Sequence, residues 1–285
     1  MLNTIAASMQ SARQLLAATE TAGGQVPPVL SQIVSGYDLL TAAPAQSDPV
    51  RPIVESAAAG ELTAEHLDQL CADAAQAEAA HTYRTRLRGH AEGLFTERFF
   101  KALCDGAADV VLDSLREPFT EAAQALAEAL KVVDINVPAA QLAEHGSPQE
   151  LQAWRSVRPA VQKLDEIGAI AKRFGSRSID WAVLDRPNAL DDRGVTDEAT
   201  MLTDAPLIQA GAVFQRRTAD LKTVPWLHLP ARLNTIDQAK QRLQEWASQA
   251  WSELNAQPGR GKFVDNKFVP DVRKNPFSEK AGADA

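Results

Sequence analysis

Residues 63–133 constrain this chain more than any other stretch: 71 consecutive residues contain one proline, Pro118, and repeat apolar side chains at helical spacing. Leu67, Leu70, Ala74 and Ala77 begin a stripe that runs on through Leu87, Ala91, Leu94, Phe95, Ala102, Leu103 and Val110. After the proline it continues through Ala122, Leu126, Leu130 and Val133. Steps of about 3 and 4 residues keep side chains on one side of a helix. The steps wander without a fixed heptad register, which fits an antiparallel bundle or a long hairpin better than a parallel two-stranded coil. Thr63 is the predicted N-cap, and Gly89, Gly93 and Gly106 are soft points. A helical run of this length bears more apolar surface than one small domain covers on all sides, so Leu94, Phe95 and Leu103 are candidate partner contacts.

Composition points the same way. A chain that is 45% hydrophobic and 23% charged is globular, which excludes wholesale disorder and a collagen-like fibre. Fifty alanines against 9 Phe, 5 Trp and 2 Tyr favour close-packed helices over sheets built on aromatic and β-branched residues. The expected fold is mainly α, with more than half of all residues helical. The net charge of −8 has the wrong sign for tracking phosphates, so nucleic acid is an unfavoured partner. Much of that charge lies in residues 63–137, which hold 13 acidic and 7 basic side chains.

The remaining chain divides around this run. A first helix is predicted over 3–21 and ends at Gly23-Gly24; a second covers 29–40. Residues 43–52, with prolines at 44, 49 and 52, read as an extended connector. Ser147-Pro148-Gln149-Glu150 predicts a capping box opening a helix that carries Trp154, Val157, Val161, Leu164, Ile167, Ile170 and Phe174, kinked or divided at Pro159. Residues 176–202 lose periodicity and read as a long loop with a short strand at 179–184. Beyond it, 206–221 is predicted helical, 224–230 extended, and Thr235-x-x-Gln238 opens a last helix bearing Trp246 and Trp251. The expected organisation is 1–52, N-terminal helices and connector; 53–137, long hairpin; 138–256, second helical unit with an irregular insertion at 176–234; and 257–285, an extended basic tail.

Chemistry-bearing constellations are sparse. Glu78 and His81 stand at the step used by di-iron helices, but such a site needs a second copy, and no other histidine has an acidic residue three positions before it. Cys71 and Cys104 have no ligand at zinc spacing and read as buried small hydrophobes; if one helix holds both, they lie about 50 Å apart, beyond disulfide reach. Residues 256–263 depart from a phosphate loop at Ala256 and Phe263. Arg84, Arg86 and Arg88 form the densest basic cluster, read as pairing with Glu78, Glu92 or a neighbouring helix before gripping phosphate. Asp185, Asp191, Asp192, Asp197, Glu198 and Asp204 lack calcium-loop spacing and read as a solvated loop. No catalytic, cofactor-binding or metal-binding residues are assigned.

The tail over 258–280 holds 6 basic and 3 acidic residues, with Phe263, Phe268 and Phe277 spaced among prolines and Arg273 and Lys274 beside the last of them. These five are predicted partner contacts of a docking arm that forms neither a helix nor a paired strand of its own. In composition the chain is similar to small helical assembly proteins of bacteria and tailed phages. The resulting expectation is a non-enzymatic structural or interaction protein that binds a protein partner or its own copies and uses no cofactor. The alternative is an enzyme or ligand-binding domain assembled from Asp180, Asp185, Arg186, Asp192, Arg216 and His228; a nucleic-acid adaptor ranks third. No basic leader precedes the first helix, and the longest uncharged run, 21–37, contains Gly23, Gly24, Pro27 and Pro28. The expectation is a cytoplasmic or virion-associated protein that crosses no membrane.

Overall fold

Helix starts in this chain are set by local chemistry. The computed structural model describes residues 8–42, 50–175, 194–255, 261–264 and 267–270. Its helices are α1 (Met9–Thr21), α2 (Pro28–Thr41), α3 (Arg51–Ala58), α4 (Ala64–Ala102), α5 (Ala108–Val132), α6 (Ala139–His145), α7 (Pro148–Arg173), α8 (Asp197–Met201), α9 (Leu207–Gln215) and α10 (Ile236–Asn255). The fold is mainly α, as expected. The predicted strand at 179–184 lies outside the described residues.

Contacts divide the chain into two units, Met1–Leu16 with Val26–Ala107, and Ala17–Gln25 with Ala108–Ala285. In the first, α2 and α3 pack on α4. Thr63 caps α4, its hydroxyl accepting from His66 N–H at 3.2 Å. Tyr37 of α2 meets Phe95 of α4 at 5.7 Å between ring centroids, tilted by 58°. Arg13 of α1 forms an ion pair with Asp38 and stands 5.4 Å over the Tyr37 ring. After 39 residues α4 ends in a π-type turn, Leu103–Ala107, where Gly106 has φ 105°, a left-handed conformation that a side chain opposes. The soft point seen at Gly106 is therefore the kink of the long helical run.

In the second unit, α5 and α7 form the most extensive packing pair. Val111, Leu112, Leu115, Phe119 and Leu126 of α5 are buried, as are Val157, Leu164, Ile167 and Ile170 of α7. Ser147 and Glu150 form the predicted capping box: Glu150 N–H donates to Ser147 Oγ at 3.3 Å, and Ser147 N–H donates to Glu150 Oε2 at 2.8 Å. Those bonds hold the Glu150 carboxyl below the usual carboxylate range. Thr235 and Gln238 repeat the arrangement at α10, at 3.2 and 3.0 Å. Pro159 does not divide α7, which is continuous from Pro148 to Arg173. Both Pro159 and Arg155, whose carbonyl the missing N–H would have met, lie on the exposed face.

Other expectations are corrected at their edges. Helix α3 begins at Arg51, so Pro52 occupies its first turn, where the absent N–H costs nothing. The predicted 206–221 helix ends at Gln215, and 224–230 is not extended: two 3₁₀ turns, Leu221–Thr223 and Pro225–Leu227, surround Val224. Beyond residue 257 a paired strand does form. The strands β1 (Gly261–Val264) and β2 (Lys267–Pro270) are antiparallel, with Phe263 opposite Phe268 and Val264 opposite Lys267 across the two-residue Asp265-Asn266 connection. Pro270, opposite Gly261, closes the ladder at its outer end.

Candidate interaction surface

Helix α4 does not behave as a core helix along most of its length. Leu67, Leu70 and Ala74 are half-buried near α3, and Ala91 and Phe99 are buried towards the other end; between them, no described residue of 75–90 is buried. Gln76, Ala80, Tyr83, Leu87, His90 and Leu94 all face solvent. They recur at alternating steps of 4 and 3, which is one seam of a helix. Tyr83 is 65% exposed, Leu87 38% and Leu94 67%. Large side chains at coiled-coil spacing on a solvated helix form a surface that another helix can cover.

The charges on the same helix are segregated. Residues 64–80 carry Glu65, Asp68, Asp73 and Glu78 and no lysine or arginine, whereas 81–91 carry Arg84, Arg86 and Arg88 and no acid. Arg84 and Arg86 are exposed, and among the described residues neither forms an ion pair, so the predicted pairing with Glu78 or Glu92 is not made by them. Glu78 and His81 are both exposed, and among the described residues no group of three or more His, Cys, Asp or Glu is placed to hold a metal ion. Cys71 and Cys104 are exposed, not buried: Cys71 lies on the thinly packed part of α4 and Cys104 in the π-type turn.

The predicted partner contacts separate. Leu94 is open, but Leu103 is fully buried and Phe95 is half-buried against Tyr37 and Gly36. Leu94 and Leu103 are nine residues apart, two and a half helical turns, so one stripe cannot contain both. Phe263 and Phe268 belong to the hairpin, while Arg273, Lys274 and Phe277 lie outside the described residues. Of the alternative site, Asp180, Asp185, Arg186 and Asp192 also lie outside them. Arg216 is exposed and His228 Nε2 meets the Lys222 carbonyl at 2.7 Å. Glu198 and Asp204 of the acidic group are paired with Lys172 and Arg232, at 2.5 and 2.6 Å.

Two polar clusters in the second unit escaped sequence reasoning because their partners are far apart in the chain. The Asp165 carboxylate accepts from Trp226 Nε1 at 2.7 Å and pairs with Arg217. Trp226 lies edge-on to Phe119 and Phe214, both at 5.7 Å. The half-buried Arg242 guanidinium donates to the carbonyls of Ala199 at 3.0 Å, Thr200 at 3.1 Å, Thr203, and Ala205 at 2.6 Å. Asn234 Nδ2 reaches two of the same carbonyls, Thr200 and Thr203, at 2.9 and 3.2 Å. Both clusters occupy their polar groups with the fold itself. Among the described residues no helix is long and apolar enough to cross a membrane. Comparison with protein families, curated proteins and solved structures returns no match.

Proposed function

We propose that this chain is a non-enzymatic interaction protein of a macromolecular assembly, such as a bacterial or phage particle, and that α4 is the helix by which it docks. The observation that carries the reading is the solvated seam of α4, where Tyr83, Leu87 and Leu94 stand exposed on a helix in which no described residue of 75–90 is buried. Most helical stability in proteins comes from packing an amphipathic face, so a long stretch without one is completed by association. The basic tail supplies a second, electrostatically steered contact for an acidic protein surface.

The test places a photo-crosslinking amino acid at position 83 of the full chain in producing cells. Irradiation is expected to yield one or a few discrete protein adducts, abolished by Leu87→Asp with Leu94→Asp. A chain that gives no intermolecular adduct at positions 83, 87 and 94 refutes the role of α4.

A further inference from the structure

We infer that α4 pairs antiparallel with the α4 of a second copy of this chain, an inference that rests on the reading of α4 as the docking helix. The charge order of the helix selects this occupant. Acidic residues fill 64–80 and arginines fill 81–91, so the helix is complementary to its own reverse. Parallel, in-register pairing would set Asp73 and Glu78 beside their own counterparts and the arginines beside arginines, like against like throughout. Antiparallel pairing sets each arginine block alongside the partner's acidic block. A self-complementary patch of this kind closes on a two-fold axis and buries the same seam in both copies.

The seam narrows the register. With the two-fold crossing between Ala80 and Tyr83, each Tyr83 comes level with the other copy's Ala80, a large side chain over a small one. Leu87 then comes level with Gln76, and His90 with Asp73, all of them exposed in the single chain. Sliding the register by one heptad, which moves the crossing half a heptad towards the C-terminal end, would bring Asp73 level with Glu97 and Glu78 level with Glu92, acid on acid at both places. Charge and packing therefore agree on a crossing near Ala80. Arg84 and Arg86, which form no ion pair among the described residues, meet an acid in the pair.

Sedimentation of the full chain should show a dimer whose dissociation constant rises by about tenfold or more from low to molar NaCl. Arg84→Glu with Arg86→Glu should weaken it comparably, and adding Asp73→Lys and Glu78→Lys to the same chain should restore it. These positions are exposed, and circular dichroism of each variant checks that α4 still folds. Orientation is read by disulfide trapping on a Cys71→Ser, Cys104→Ser background. Mixing a Gln76→Cys chain with a Leu87→Cys chain should trap the mixed dimer, while neither chain alone traps itself. Self-trapping at 76 or 87, a strictly monomeric chain, or no restoration by the charge swap overturns the proposal. Crosslinks from position 83 to a different protein alone would refute self-pairing and leave the docking role of α4 standing; the absence of any adduct would refute both.

Discussion

Arg242→Met should destabilise the second unit by about 2–3 kcal/mol. The substitution keeps an apolar stem of similar length and removes the guanidinium that gathers four carbonyls at the C-terminal end of α8. Thr200 and Thr203 retain Asn234 Nδ2, so the carbonyls of Ala199 and Ala205 lose most. A buried acceptor left without a donor costs about 1–3 kcal/mol, giving roughly 2–6 kcal/mol gross for the two. Against that stands the cost of half-burying a cation, which pulls Arg242 below the ordinary arginine range and which the methionine does not incur. The difference is the predicted 2–3 kcal/mol, seen in urea titration as a midpoint lowered by about 1 M at a typical slope, with the slope unchanged. Helical circular dichroism and the fluorescence of Trp226 should report the same shift. Arg242→Lys should fall between, since one ammonium cannot span the guanidinium's set of carbonyls. A loss under about 0.5 kcal/mol for Arg242→Met would mean that water satisfies those carbonyls and that the clamp is ornamental.

Leu103→Ala should cost about 2–5 kcal/mol, as a fully buried leucine does, while Leu94→Ala should stay within about 0.5 kcal/mol in dilute, monomeric protein; thermal melts compare the two. Asp109 Oδ1 accepts from Ile236 N–H, the first residue of α10, at 2.9 Å, and burial raises its carboxyl above the ordinary value. A raised folded-state value means stability that is present at low pH and lost as pH rises through the carboxylate range. Asp109→Asn, which keeps the acceptor, should therefore equal or exceed the native chain near neutral pH, and the gap should close below pH ~4. Asp109→Leu should instead be destabilising at both pH values, which urea titrations at each pH would check. Ser147→Ala should cost about 1 kcal/mol by removing the α7 cap, an effect that Ser147→Thr should largely avoid in the same assay.

What was legible in the sequence was local. Thr63, Ser147 with Glu150, and Thr235 with Gln238 act within four residues of themselves, so type and spacing were enough to find them. The kink at Gly106 was visible for the same reason. The effect of a proline was not, because it depends on whether the freed carbonyl meets water: Pro159 sits on an exposed face and α7 runs through it. The stripe that joined Leu94 to Leu103 failed because spacing errors accumulate over long helices. Asp165 with Trp226 and Arg242 with Ala199 lie 61 and 43 residues apart, and no local pattern announces such meetings. The stripe read from spacing shares only Leu87 and Leu94 with the solvated seam of α4, because which face stays open is a property of the packing.

The interleaving of the two units decides how this chain can be taken apart. Residues 17–25 belong with 108–285, although 26–107 intervene. Within that segment Thr19 and Ala22 are buried, Gly24 sits so close to Leu115 that a methyl group there would lie 2.7 Å from it, and Gln25 N–H donates to Ser114 Oγ at 2.8 Å. A cut at the Gly106 kink, the obvious place for a protease or a gene truncation, therefore strips the C-terminal piece of part of its own interior. The 108–285 fragment should be poorly folded alone and rescued in trans by a peptide spanning 17–25, making the nine residues a complementing tag for the larger piece.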